Sequence, residues 1–172
     1  MVNMKKNWKI LVICILVPLG VGALAGFMTR EGMMFFSSLN KPPLSPPAWL
    51  FPVVWTLLYF LMGVSSYLIY SSDAKGNSRL LQKKNNKETV GKEQALTTYG
   101  YQLLVNFLWP FFFFQFQWYF FAFLWLGLLW ILVAKMILEF GSIRQAAAFL
   151  NVPYLLWLSF AGYLNLGVWL LN

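Results

Sequence analysis

The chain contains continuous apolar runs that are each long enough to cross a lipid bilayer as a helix. A spanning helix needs roughly 20 mostly apolar residues, because lipid offers no hydrogen-bond partner for backbone N–H and C=O groups. The runs do not alternate strictly between apolar and polar residues, so helices are favoured over the strands of a membrane barrel. The composition, with 60% hydrophobic and 10% charged residues, agrees with this interpretation. We predict an all-α membrane protein.

The runs predict a single domain over residues 1–172 that forms a bundle of five transmembrane helices. The predicted helices cover about residues 8–28, 48–70, 99–117, 119–139 and 142–171. Between them lie a loop at 29–47 and a polar, basic loop at 71–98. Most basic residues fall on the side of the N-terminus, and only Arg30 and Lys41 fall on the other side. This bias predicts that the N-terminus and the 71–98 loop are inside the cell and that the C-terminus is outside.

The net charge of +8 is explained by this topology rather than by a nucleic-acid partner. The aromatic residues lie in the predicted spans and not among the basic residues, so the chain has no surface on which bases would stack beside phosphate contacts. We therefore expect the lipid bilayer, including its anionic headgroups, to be the partner of the basic residues, and we expect no nucleic-acid binding.

The residue types that are missing restrict the chemistry. The sequence has no histidine, one cysteine (Cys14), and five acidic residues that all lie in loops or at predicted helix ends. These residues cannot form a catalytic triad or a zinc site, and no ionisable group is placed for proton-coupled transport. We predict that the protein holds no metal and no resident cofactor.

Aromatic residues make up 20% of the chain and include nine tryptophans. Three tryptophans have a small, polar or aromatic neighbour three or four residues away, on the same helix face. The pairs are Trp55 with Tyr59, Asn106 with Trp109, and Trp157 with Ala161, whose face continues to Leu164. The asparagine could instead bond neighbouring helices together, and both roles stay open. Together these residues predict an uncharged aromatic pocket for a flat hydrophobic ligand.

Three segments resemble the TspO/MBR family, the tryptophan-rich sensory proteins related to the translocator protein. They are KPPLSPPAWLFPVVWTLLYFLMG at 41–63, QLLVNFLWPFFF at 102–113 and VPYLLWLSFAGYLNLGVWLLN at 152–172. The resemblance implies a five-helix bundle, often a homodimer, in a bacterial inner or plasma membrane. It also implies a pocket that is covered by the 29–47 loop and takes porphyrins such as protoporphyrin IX or haem. The implied pocket residues are Pro46, Pro47, Trp55, Asn106, Trp109, Trp157, Ala161 and Leu164.

The resemblance leaves several functions open. The chain can be a receptor or carrier that binds tetrapyrroles for stress sensing or transport. A light-dependent oxidative breakdown of protoporphyrin has been proposed for some bacterial members, and here it would use the tryptophans Trp55 and Trp157. A third hypothesis is a regulatory scaffold that acts through a partner protein or through the basic loop.

Two positions depart from the family pattern. Leu44 stands where the family commonly has tryptophan, so the covering loop is expected to lose an aromatic contact. Leu166 and Leu170 stand where the sterol-recognition pattern of animal members needs tyrosine and arginine, and sterol binding is therefore not favoured. We also expect Ser45 to cap the second helix, with Pro46 as its first residue.

Overall fold

The computed structural model describes residues 8–36, 38–72 and 90–172, and every regular element in these ranges is a helix. The elements are α1 (Trp8–Met28), α2 (Arg30–Phe36), α3 (Leu50–Tyr70), α4 (Lys92–Pro110), a π-helical turn (Phe111–Gln115), α5 (Tyr119–Ile143), α6 (Gln145–Phe149) and α7 (Val152–Leu171). The prediction of an all-α protein is confirmed for these residues.

Within the described residues, four helical stretches are long and apolar enough to cross a membrane. They are α1, α3, α5 and the stretch Gln145–Leu171, which contains α6, the turn at 150–151 and α7. Helix α4 is not among them because it carries polar residues such as Gln94, Gln102 and Asn106. The chain is therefore a multi-pass membrane protein, and the role of α4 as a further span is taken up below.

The third predicted helix, at 99–117, has different limits in the structure. Helix α4 starts earlier, at Lys92, so the last residues of the predicted 71–98 loop are helical. The early start is possible because the polar side chain of Thr98 is buried against the bundle. At the other end, Pro110 lacks the N–H of a regular helix, and a π-helical turn follows it. The rest of that loop, 73–89, lies outside the described residues.

The last predicted helix, at 142–171, is interrupted. Helix α5 continues past the predicted end at residue 139 to Ile143, and an extended residue, Arg144, then breaks it. The short helix α6 follows, and α7 begins at Val152 with Pro153 in its first turn. A proline is tolerated at this place because the first N–H groups of a helix have no partner within the helix.

The 29–47 segment is not a simple loop, because it contains α2. The predicted cap of the second helix is wrong. Helix α3 begins at Leu50, and the Ser45 hydroxyl donates to the Pro42 carbonyl oxygen at 2.7 Å instead. That bond closes a local turn that contains Leu44, whose φ is positive at 65°.

Helix α5 lies between α4 and α7 and supplies much of the core. One stripe of its side chains is almost fully buried at alternating spacings of three and four, which is the pattern of a helix packed on neighbours. The stripe consists of Leu126, Leu129, Val133, Met136 and Phe140.

Helices α1 and α3 form a close antiparallel pair. A Cβ atom added to Gly63 would lie 2.5 Å from the Ile15 Cα atom and 2.7 Å from the Cys14 carbonyl oxygen. Further along the pair, Gly22 lies directly against the Tyr59 ring. Glycine at both positions is therefore required by the close approach of the two helices.

Candidate ligand cavity

A cavity of about 460 Å³ lies between α1, α3, α4 and α7, which is within the size range of small-molecule sites. Met33 of α2 and Phe114 of the π-helical turn complete its wall. Among the described residues, none with a charged side chain lines this cavity. The cavity is therefore an apolar and aromatic space with few polar groups.

Most of the predicted site residues meet at this cavity. Those that line it are Trp55, Tyr59, Asn106, Trp109, Trp157 and Ala161. The other three, Pro46, Pro47 and Leu164, are not among the lining residues. Leu164 is buried elsewhere in the bundle, Pro46 is half-buried, and Pro47 is exposed. Ligand contact remains a prediction for all nine residues.

Helix α3 presents three aromatic side chains to the cavity at a spacing of four residues: Phe51, Trp55 and Tyr59. The Trp55 ring lies 5.5 Å from the Tyr59 ring and 6.1 Å from the Tyr154 ring, centroid to centroid. Phe51 meets Trp157 of α7 edge to face at 5.9 Å. These contacts hold the rings in place and give the cavity flat aromatic walls.

The π-helical turn supports Trp109 on the opposite wall. The indole of Trp109 stacks on Phe113 with centroids 5.1 Å apart and an interplanar angle of 19°. Phe114 meets the same indole edge to face at 5.9 Å and itself lines the cavity. The change from α-helix to π-helix after Pro110 is what places two consecutive phenylalanines against one tryptophan.

A chain of buried hydrogen bonds closes one end of the cavity. The Tyr59 hydroxyl donates to the Asn106 Oδ1 atom at 2.6 Å, and the Asn106 amide nitrogen donates to the Tyr154 hydroxyl. Tyr154 donates in turn to Gln102 Oε1 at 3.2 Å. Asn106 therefore has both roles left open by the sequence: it joins three helices, and it lines the cavity.

Two indole N–H groups at the cavity have no acceptor. The Nε1 atoms of Trp109 and Trp157 are buried, and neither has a hydrogen-bond partner within the part of the chain that the structure describes. A buried donor without a partner costs about 1–3 kcal/mol. Because both nitrogen atoms are fully covered, each indole meets the cavity with its ring and not with its N–H group.

Helix α1 contributes a part of the wall that the sequence did not assign to the site. Gly22, Ala23 and Gly26 line the cavity, and so do Leu19 and Thr29. Of these residues, Gly22 is in close contact with another helix, at the Tyr59 ring. No sequence signal separates a glycine that touches a helix from one that borders an empty space.

The 38–49 loop is tied to the end of α7. The Asn40 backbone N–H donates to the Asn172 Oδ1 atom at 3.1 Å, and the Asn172 amide nitrogen donates to the Asn40 carbonyl oxygen at 2.9 Å. The Tyr163 hydroxyl donates to the Pro43 carbonyl oxygen at 2.8 Å. Leu44, in the position where the related family commonly has tryptophan, is 83% exposed and does not line the cavity.

The charged side chains of the described residues lie away from the cavity. Glu139 is buried in α5, forms an ion pair with Lys135 at 3.8 Å and accepts a hydrogen bond from Gln94 at 3.2 Å. Within the described residues there is no cluster of three or more histidine, cysteine, aspartate or glutamate side chains that could hold a metal ion. The cavity therefore offers a molecule shape, ring contacts and a few hydrogen-bonding groups.

The fold and the cavity define a class of protein: a helical, multi-pass membrane protein with an aromatic cavity among its helices. The sequence matches the model of the TspO/MBR family over residues 14–170, and the chain belongs to that family.

Several relatives resemble the chain over almost its whole length. It is 34% identical over 170 residues to the tryptophan-rich protein TspO of Chlorobaculum tepidum, which covers 98% of this chain and 99% of the relative. It is 36% identical over 158 residues to the translocator protein of Bos taurus, covering 90% and 85%. The tryptophan-rich sensory protein of Cereibacter sphaeroides is 31% identical over 169 residues, covering 98% and 95%.

Proposed function

We propose that this protein is a membrane receptor or carrier that binds porphyrins or related tetrapyrroles in the aromatic cavity. The observation that carries the proposal is the flat aromatic wall that Phe51, Trp55, Trp109 and Trp157 give to a cavity without charged side chains. A tetrapyrrole offers a large flat ring that suits such walls.

The absence of charge from the cavity wall determines how a porphyrin would lie. Since no charged side chain of the described residues lines the cavity, the carboxylates of a porphyrin would stay at its open side, in contact with water or headgroups. The macrocycle would lie inside, between the face of Trp55 on α3 and that of Trp109 on α4. Stress sensing and transport both need such a site, and both remain part of the proposal.

The proposal includes five spanning helices, with α4 and the π-helical turn as the third. Polar residues of α4 are turned into the bundle, where Gln102 and Asn106 are buried and hydrogen-bonded. The side chains that α4 exposes include Tyr101 and Leu104, which are 61% and 56% exposed and suit a lipid environment. A helix of this kind can span without being apolar all round. The bias of basic residues favours the N-terminus inside, in a bacterial inner or plasma membrane.

Quenching of tryptophan fluorescence by protoporphyrin IX tests the proposal. The wild-type protein should be quenched saturably, and a Trp55→Phe/Trp157→Phe variant should show a smaller quenched fraction and weaker binding. The matched control is Trp8→Phe/Trp118→Phe, in which two exposed indoles outside the cavity are replaced and seven of the nine tryptophans again remain. Unsaturable quenching, or equal quenching in the two double variants, would count against the cavity.

A second candidate function is light-dependent degradation of the bound porphyrin with dioxygen as the oxidant. It is favoured by the position of Trp55 and Trp157, because both indoles line the same cavity and can be photo-oxidised beside an excited macrocycle. Illuminated, aerated samples should lose porphyrin absorbance faster than a detergent control. The Trp55→Phe/Trp157→Phe variant should lose this advantage, and Trp8→Phe/Trp118→Phe should keep it.

A further inference from the structure

Helices α1 and α3 touch along one part of their shared length and are separated by a gap along another. At Gly63 the two backbones touch, and at Gly22 the helix lies against the Tyr59 ring. One turn further along α1, a Cβ atom added to Gly26 would meet nothing within 4 Å, although Gly26 lines the cavity. The two helices therefore diverge beyond Gly22 and leave a gap beside the cavity.

The residues at the edges of this gap line the cavity, and most of them are also exposed. The antiparallel register that the Gly63 and Gly22 contacts set places the end of α1 opposite the start of α3. Ala23 on α1, and Pro52 and Thr56 on α3, line the cavity and belong to the exposed residues, unlike the buried Ala25 and Tyr59 of the same lining. The gap bounded by Ala23, Gly26, Pro52 and Thr56 is called the lateral opening below.

The lateral opening carries no polar barrier. The Thr56 hydroxyl donates to the Pro52 carbonyl oxygen of its own helix at 2.7 Å, so its donor is already used. The other three residues at the edges have no polar side-chain atom. An apolar ring can pass such an edge without removing water from a fixed charge or an unpaired donor.

A route to the cavity over the end of the bundle would require the 38–49 loop to move, and this loop is held in place by several contacts. The loop is bonded to α7 and its end through the pairs Asn40–Asn172 and Tyr163–Pro43. It also packs tightly on α7, because a Cβ atom added to Gly167 would lie 2.5 Å from the Pro42 Cγ atom. Moving the loop breaks these contacts, whereas the lateral opening needs no hydrogen bond to break.

We propose that the lateral opening, which lies near the end of α1 at Met28 and the start of α3 at Leu50, connects the cavity directly with the bilayer, and that lipophilic ligands move between the bilayer and the cavity through it while their carboxylates stay at the headgroups. This inference rests on the proposed function, because it describes how the ligand of that cavity arrives and leaves. The ligand is drawn from the lipid phase, where a porphyrin macrocycle concentrates, and the 38–49 loop stays closed during exchange.

The test measures the rates of protoporphyrin IX binding to the full-length protein in phosphatidylcholine vesicles, by stopped-flow fluorescence. Ala23→Phe and Thr56→Phe narrow the lateral opening from its two sides. Each should slow association and dissociation by about tenfold or more, with the Kd changing much less than either rate, since an obstructed passage raises the barrier in both directions. The matched control, Gly20→Phe, puts the same side chain on an exposed face of α1 where a Cβ meets nothing within 4 Å, and its rates should equal those of the wild type.

A second arm loosens the loop. Asn172→Ala removes the bonds to Asn40, and Tyr163→Phe removes the bond to Pro43. Exchange through the lateral opening predicts unchanged rates for both variants. Faster binding in them, together with wild-type rates in Ala23→Phe and Thr56→Phe, would overturn the inference and place the route at the loop.

The two proposals fail in different ways. If wild-type protein shows no saturable binding of protoporphyrin IX, the proposed function fails and the inference fails with it. If binding is saturable and Ala23→Phe and Thr56→Phe bind with wild-type Kd and wild-type rates, only the lateral route is wrong. Because the two substitutions lie on different helices, a variant that does not fold still leaves the other to decide.

Discussion

Replacing Gly63 by alanine should separate α1 from α3. The added Cβ atom would stand 2.5 Å from the Ile15 Cα atom and 2.7 Å from the Cys14 carbonyl oxygen, whereas carbon atoms in contact are about 3.5–4.0 Å apart. The shortfall is therefore about 1 Å, and it is against backbone, which cannot rotate away as a side chain would. Overpacking of this kind typically costs about 1–3 kcal/mol.

Gly20→Ala is the matched control, since it adds the same methyl group to α1 where nothing lies within 4 Å. Alanine in a helix is more stable than glycine by about 0.5–1 kcal/mol, so this variant should be as stable as the wild type or more stable. The free energy of unfolding is measured by titrating dodecyl sulfate into mixed micelles and following far-UV circular dichroism. Equal stability of Gly63→Ala and Gly20→Ala would refute the close contact of the two helices.

Two further predictions concern the bonds around the cavity and the loop. In a double-mutant cycle, Tyr59→Phe and Asn106→Leu should show a coupling of about 0.6–1.7 kcal/mol in the free energy of unfolding, which is the range for hydrogen bonds between membrane helices. Additive effects of the two substitutions would show that the bond between Tyr59 and Asn106 does not form. Gly167→Ala should displace Pro42 and raise deuterium uptake in the 38–49 loop, as measured by mass spectrometry. Unchanged uptake would contradict the tight contact between the loop and α7.

The sequence predicted the helices whose apolar runs are continuous. The limits of α1 agree with the predicted 8–28, and α3 begins within two residues of the predicted 48. The start of α4 at Lys92 was missed because hydropathy cannot distinguish a polar residue in a loop from one that faces a helix bundle, as Thr98 and Gln102 do. That distinction depends on which side chains the neighbouring helices offer as partners.

Within the candidate site, the sequence brought together the residues that lie at helical spacing. Trp55 and Tyr59 are four apart on α3, and both line the cavity. The contribution of α1 could not be predicted, because Gly26 lines the cavity only through the divergence of two helices, which no local pattern records. The direction of the Trp109 and Trp157 N–H groups also depends on packing between helices and is not visible in the sequence.

The proline-rich segment shows a limit of local rules. Ser45 followed by Pro46 satisfies the statistical pattern of a helix start, yet the hydroxyl of Ser45 bonds backward to Pro42. The same segment also makes a contact that is distant in sequence, because Pro42 packs against Gly167 of α7, and local rules include no such contact.

Filling the aromatic cavity with a larger side chain shows directly whether a porphyrin occupies it. Ala161 is 7% exposed and lines the cavity, whereas Ala146 is exposed on α6 and lies away from it. The affinity for protoporphyrin IX is measured from its Soret band at equilibrium for the wild type, Ala161→Phe and Ala146→Phe. We predict that the wild type binds one porphyrin per chain. Ala161→Phe should weaken this affinity at least about tenfold, and Ala146→Phe should leave it unchanged. Wild-type affinity in Ala161→Phe would place the porphyrin outside the cavity and contradict the account.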